Sequence, residues 1–258
     1  MSTNVSVFIM DISNSSQEQI GHELSDYLEE LKTNIAVWTQ YIVETKISHR
    51  AGDELVVVCK GYATAYTLAY YINHVWKFSN HKPYFGLTFG EIPEKLSEIN
   101  LETWIHPLMK QARNASDYLK NQQNRTQFHF ALTNVSGKQS FTVFNKQFET
   151  LINTSLMLKQ EHMNEQTEIQ SLVCSLYFIL GQQTKVSDYL ERTTPTISHH
   201  MRQGKTQTIL RAFHDIVNVL DSLDTQDEQG LNSNLQSNIK RNIQYHLHNY
   251  IPKDRRLK

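Results

Sequence analysis

Apolar and polar positions along this chain change period several times, and each change marks an element. Val5 to Met10 is a short apolar run that stops at Asp11, as a central strand covered on both faces would. Ser13, Asn14, Ser15 and Ser16 follow, and any of these side chains can cap a helix. The spacing of Ile20, Leu24, Leu28 and Leu31 predicts a helix from about Gln17 to Lys32 with one apolar face. Tyr41 to Ile47 reads as a strand. Leu55 to Cys59, apolar and mostly β-branched, reads as its returning partner. Arg50-Ala51-Gly52-Asp53-Glu54 lies between them, so a glycine turn would present two carboxylates at the tip of a hairpin.

A second helical pattern covers Tyr62 to Phe78, with Ala65, Leu68, Ala69, Ile72 and Val75 facing inward. Pro83 to Ile92 reads as a strand interrupted by Gly86 and Gly90, and isolated strand glycines mark a bulge or a close approach by something else. Trp104 to Asn121 reads as a helix. Phe128 to Leu132 and Phe141 to Phe144 flank Ser136-Gly137 and read as a hairpin. The order is strand, helix, hairpin, helix, strand, helix, hairpin. It predicts an α+β chain that opens with a ferredoxin-like α/β sandwich, mainly antiparallel, over residues 1–147.

The rest of the chain is helical in pattern. Phe148 to Gln166 reads as a connector helix, within a linking segment at 148–168, and Ile169 to Leu180 as a core helix. Residues 182–203 resemble a helix-turn-helix, with Val186, Ser187 and Leu190 on the inner side of the first helix. Thr194 is placed to cap the second helix, with Pro195 as its first residue. Ile197 and Met201 anchor that helix, while Thr196, Ser198, His199, Arg202 and Gln203 face outward. Glu191 stands where glycine is common in such turns. Gln207 to Leu223 continues as a helix, and Asp224 to Gly230 is a polar break. A final helix carries Leu231, Leu235, Ile239, Ile243, Leu247 and Ile251 in a stripe that can pack on its own domain or on a partner chain. This gives an all-α domain over 169–258.

Composition narrows the classes. The chain has 258 residues, a formal net charge of −1 and two cysteines, so no global field points to nucleic acid or membrane. Cys59 and Cys174 sit in apolar runs and read as buried thiols in a reducing cytoplasm. No basic start leads into a long apolar core, so no secretion signal is expected, and no apolar run approaches the roughly 20 residues that span a bilayer. Locally the balance differs: between 182 and 211, Lys185, Arg192, Arg202, Lys205 and Arg211 face only Asp188 and Glu191. Such charge holds phosphate without reading sequence.

Asp11-Ile12 after a strand, Gly52-Asp53 at a hairpin, the strand Phe85-Gly86-Leu87-Thr88-Phe89-Gly90-Glu91 and Ala112-Arg113 occur in one order. That series resembles the palm-type domain of class III nucleotide cyclases and of GGDEF diguanylate cyclases. With the motif near 180–205, the chain looks most like SatD-like bacterial proteins. The resemblance implies Asp11 and Asp53 as ligands for Mg or Mn ions carrying a nucleotide, and Arg113 as a triphosphate contact. Lys46 is a candidate for the purine-selecting or triphosphate-binding lysine of those enzymes. The chain departs from those enzymes: Met109 replaces an asparagine, Ser13 an acid and Ala51 the first glycine. An enzyme that works by placing charge on a transition state does not shed several such groups, so a catalytically silent sensor or dimerisation domain is expected. Plainer roles stand beside these. Asp11 can cap the following helix, Arg113 can pair with Asp117 four positions on, and Asp53 and Glu54 can simply solubilise a turn.

The sequence therefore predicts a cytoplasmic, homodimeric regulator of transcription that holds double-stranded DNA through Lys185, Thr194, Thr196, Ser198, His199, Arg202, Gln203 and Lys205. Its alternatives are a metal-dependent cyclase-type enzyme and a non-enzymatic interaction module.

Overall fold

The computed structural model describes residues 2–13, 21–50, 52–122, 126–132, 139–224 and 230–251. The chain is a mixed α/β protein with a five-stranded mixed sheet and a large helical complement. The strands are β1 (Thr3–Ile12), β2 (Thr45–Arg50), β3 (Glu54–Lys60), β4 (Pro83–Ile92) and β5 (Phe128–Phe130), in the order β2-β3-β1-β4-β5. β1 pairs antiparallel with both β3 and β4, β2 pairs antiparallel with β3, and β5 runs parallel to β4. β1 is therefore central, which is why its apolar run has no polar face to spare.

Alternation along the strands sends side chains to two covered faces. Phe8, Met10, Leu55, Val57 and Leu87 pack beneath α1 (Gly21–Thr39) and α2 (Thr64–Val75). Val5, Val7, Ile9, Val56 and Val58 pack against α3 (Pro107–Lys120), chiefly Leu108 and Ala112. Gly86 explains how close α3 comes. A Cβ there would lie 2.3 Å from the Ser116 backbone nitrogen and 2.4 Å from the Ala112 carbonyl oxygen. Gly86 thus marks a close approach of helix backbone rather than a bulge, while Gly90 leaves room for the Leu108 side chain.

Several expected elements shift. α1 begins within the described residues at Gly21 and runs on to Thr39; Asn14 to Ile20 lie outside them. β2 starts at Thr45, because Tyr41 is an exposed loop residue with φ 62°. The second expected hairpin is not formed. Phe128–Phe130 is a lone strand beside β4, and Phe141 to Phe144 belong to α4 (Gln139–Asn164). Their apolar run is too short to separate strand from helix by period alone. Ser136 and Gly137 lie outside the described residues.

α4 is followed by α5 (Glu168–Leu180), α6 (Gln183–Leu190), α7 (Thr194–Gln203), α8 (Thr206–Leu223), α9 (Leu231–Tyr245) and α10 (Leu247–Tyr250). These helices close over the outer side of α2, and one apolar core runs from Phe8 to Ile251. Tyr70 of α2 stacks on Phe213 of α8 with centroids 4.1 Å apart. Polar ties cross the same junction. Asn4 donates to Asp224 Oδ1 at 2.6 Å, Thr67 to Asn232 Oδ1 at 3.0 Å, and the Trp38 indole to Asn242 Oδ1 at 3.0 Å. The expected connector helix is part of this core, since Ile152 and Leu156 are buried and Lys159 is buried with them. Leu235, Ile239, Ile243, Leu247 and Ile251 are buried within their own chain, so the stripe left open between self and partner packs on self. Both cysteines are free and buried. Among the described residues, no helix is long and apolar enough to cross a membrane.

Candidate functional site

Two groups of side chains stand out, one at the end of the sheet and one on the helical surface. β1, the β2–β3 turn and α3 bring the first together. The turn is possible because Gly52 takes φ 101°, which a side chain disfavours. Asp11 sits at the end of β1 on the α3 face and is only 5% exposed. Its Oδ1 accepts from the Tyr84 hydroxyl at 3.0 Å and from the Ile12 backbone N–H at 2.9 Å. Its Oδ2 meets the Lys120 ammonium at the C-terminal end of α3. Burial pushes the Asp11 carboxyl above its ordinary value, Lys120 pulls the other way, and Asp53 is near enough to add to the rise. Arg113 grips Glu54 with two nitrogens, Nη1 to Oε2 and Nη2 to Oε1, the latter at 2.9 Å. Arg113 thus pairs with Glu54 rather than with Asp117, and the contact holds the guanidinium above its ordinary value.

Asp11, Asp53 and Arg113 are thus gathered as the sequence suggested. Lys46 is not. It pairs with Val58, which lies opposite Val7, about 13 Å along the strand from Asp11 at 3.3 Å per residue. Its ammonium donates to the Ser97 carbonyl at 2.9 Å. The chemistry of the gathered group is that of internal ion pairs. Both oxygens of Asp11 are engaged, one of them by a cation. Among the described residues no three His, Cys, Asp or Glu side chains converge on a metal position. Lys120 and Tyr84 decide this reading and had no sequence signal, because their partner lies on another element.

The second group is the α6–α7 pair. Ser187 of α6 donates to the Arg192 carbonyl, and Glu191 closes the helix at φ 54°, ψ 43°. That is the left-handed conformation for which glycine is favoured. Thr193, not Thr194, caps α7: its hydroxyl accepts from the Thr196 N–H at 3.4 Å, and Pro195 follows in the first turn. The one-residue shift places Thr196 Oγ1 against Thr193 Oγ1 at 2.8 Å, so Thr196 serves the cap. Ile197 and Met201 are buried as anchors. Thr194, Ser198, His199, Arg202 and Gln203 are exposed, and Lys185 of α6 is exposed as well.

The basic patch is smaller than its composition. Lys205 pairs with Glu165 Oε2 at 2.7 Å and holds that carboxyl below its ordinary value. Arg211 lies 3.7 Å from Asp215. Lys185, Arg192 and Arg202 make no ion pair among the described residues and carry the positive charge of this face. No family model, no curated protein and no solved structure matches this chain.

Proposed function

We propose that the chain is a DNA-binding regulator in which α6 and α7 form a helix-turn-helix and the sheet is a ferredoxin-like, cyclase-derived scaffold without catalysis. The observation that carries this reading is the outer face of α7. It offers Thr194, Ser198, His199, Arg202 and Gln203 to solvent with no acid among them, while Ile197 and Met201 hold the helix down. Hydroxyl, imidazole, guanidinium and carboxamide groups are the side chains that read base edges in a major groove. Lys185 and Arg192 flank that face and suit phosphates. Support for a silent scaffold comes from Asp11, whose Oδ2 is taken by Lys120.

The reading includes two copies on a two-fold site. The α9–α10 stripe is occupied within the chain, so a second copy docks on another face. The test is capture of fragmented genomic DNA by the purified chain, followed by affinity on the enriched site. Arg202→Ala should weaken that site by about 1–3 kcal/mol and relax its sequence preference. Lys185→Ala should weaken all sequences alike and lower the salt dependence by about one ion. Enrichment that survives Arg202→Ala and His199→Ala unchanged would sink the proposal.

A further inference from the structure

A cleft of about 940 Å³ lies where the sheet half meets the helical half, on the sheet face opposite Asp11. Small-ligand sites occupy roughly 300–1,000 Å³. Trp76, Phe78, Met163 and Leu172 give the walls apolar and aromatic surface. Six carboxamides line the same space, those of Asn73, Asn80, Gln127, Gln160, Asn164 and Gln166. Charge is sparse and balanced: among the described lining residues Lys82 is the one lysine and Glu168 the one carboxylate. His74 also borders the cleft, and burial pushes its imidazole down to about 3, which keeps it neutral.

Two wall residues hold polar atoms that have no partner among the described residues. His74 Nδ1 and the Ser175 hydroxyl are hydrogen-bonded at 2.9 Å, but His74 Nε2 has no partner among the described residues. Gln160 donates from Nε2 to Asn164 Oδ1 at 2.9 Å, and its Oε1 has none. These side chains are 7% and 6% exposed, and a buried polar group left unpaired is costly. A carboxamide sets a donor beside an acceptor, the pattern shown by the edge of a purine or pyrimidine. Aromatic walls accept the flat face of such a ring. With Lys82 as one cation balanced by Glu168, the wall lacks the cluster of cations that holds a phosphate chain.

We infer that this cleft binds an uncharged nitrogen heterocycle, a nucleobase or nucleoside, and that its occupancy is transmitted to α7. The route is short. Gln166 lines the cleft, and its side-chain amide donates to the carbonyl of Gly204, the residue that ends α7. Gly204 is packed so tightly that a Cβ would lie 2.9 Å from Gln170 Cβ and 3.0 Å from the His200 carbonyl oxygen. A ligand that draws Gln166 toward itself therefore moves the end of α7. The transmission rests on the DNA-binding reading, whereas the ligand site stands apart from it.

Trp76 makes the site its own reporter. The full chain is titrated with adenosine, guanosine, cytidine and uridine, and with their free bases, while tryptophan fluorescence is followed. At least one should give a saturable change. Ser171→Phe fills the cleft from an exposed position on α5 and should raise that apparent Kd at least about tenfold, with an unchanged thermal melt. A flat response to every compound, or equal Kd values in the wild type and Ser171→Phe, overturns the site. On the captured DNA, the saturating compound should change affinity about tenfold in the wild type and not in Gln166→Ala. Equal DNA affinity with and without the compound overturns the transmission. If no DNA binds at all, the DNA reading has failed, and the fluorescence titration still decides the site.

Discussion

Lys159 lies at 2% exposure among Tyr66, Tyr70 and Phe128, with its ammonium 4.4 Å from the Tyr70 ring centre and 3.1 Å from the Tyr66 hydroxyl. Burial pushes this amine down to about 7. The unfolded chain holds the proton that the folded chain releases, so stability should rise with pH from about 7 upward. The cysteines set the upper limit of that window. Burial pushes Cys174 to about 11 and Cys59 to about 12, which reverses the trend once free thiols begin to ionise near 9. We expect a gain of about 2 kcal/mol between roughly pH 7 and 9, read by denaturant melts, and a flat profile in Lys159→Met. A wild-type profile that falls across this window would contradict the placement of Lys159. Asp11 behaves in the opposite sense. Its raised carboxyl means the ionised form costs stability, and Lys120 offsets that cost. Lys120→Met should lose about 1–2 kcal/mol at neutral pH, since Lys120 is partly exposed and its charge partly screened. The loss should fade as acid protonates Asp11, and it should be recovered in the Asp11→Asn, Lys120→Met double variant.

Elements were legible where one face decides the pattern. β1, β4, α2, α5 and the α6–α7 pair stand close to where apolar spacing put them, because each buries a face that the period exposes. The misread elements lacked that contrast. Phe141 to Phe144 read as a strand because the helix that contains them starts outside any clear capping signal. Tyr41 read as strand although its large ring points into solvent. The sheet-end carboxylates and Arg113 were visible, but the pairings Arg113–Glu54 and Lys120–Asp11 were not, since ion pairs between elements leave no trace in spacing. The turn between α6 and α7 gives a test at this scale. Glu191 holds a left-handed backbone that costs a side chain about 1 kcal/mol. Glu191→Gly should raise stability by about that amount and leave the outer face of α7 unchanged, as a thermal melt and DNA affinity would show. Gly86→Ala should do the reverse. Its methyl group would meet the backbone of α3, so α3 must lift or the strand must bend, at a cost of about 3 kcal/mol or more.

The molecule as a whole is less divisible than its sequence. Two domains with a connector were expected, whereas the structure shares one apolar core across α2, α5, α8 and α9. Neither half can be cut away without opening that core. A fragment ending before α4 should therefore lose near-ultraviolet circular dichroism and bind a hydrophobic dye, unlike the full chain. A fragment with a native-like spectrum and a cooperative melt would show that the sheet half is independent after all. The bond from Asn4 to Asp224 gives this unity a timetable. At cellular rates, the 220 positions between those residues take about 10 to 40 s to synthesise. Through that interval the outer side of α2, with Tyr70 and its neighbours, waits for helices that have not yet been made. Nascent chains of this protein should thus engage a ribosome-associated chaperone until α8 and α9 have emerged.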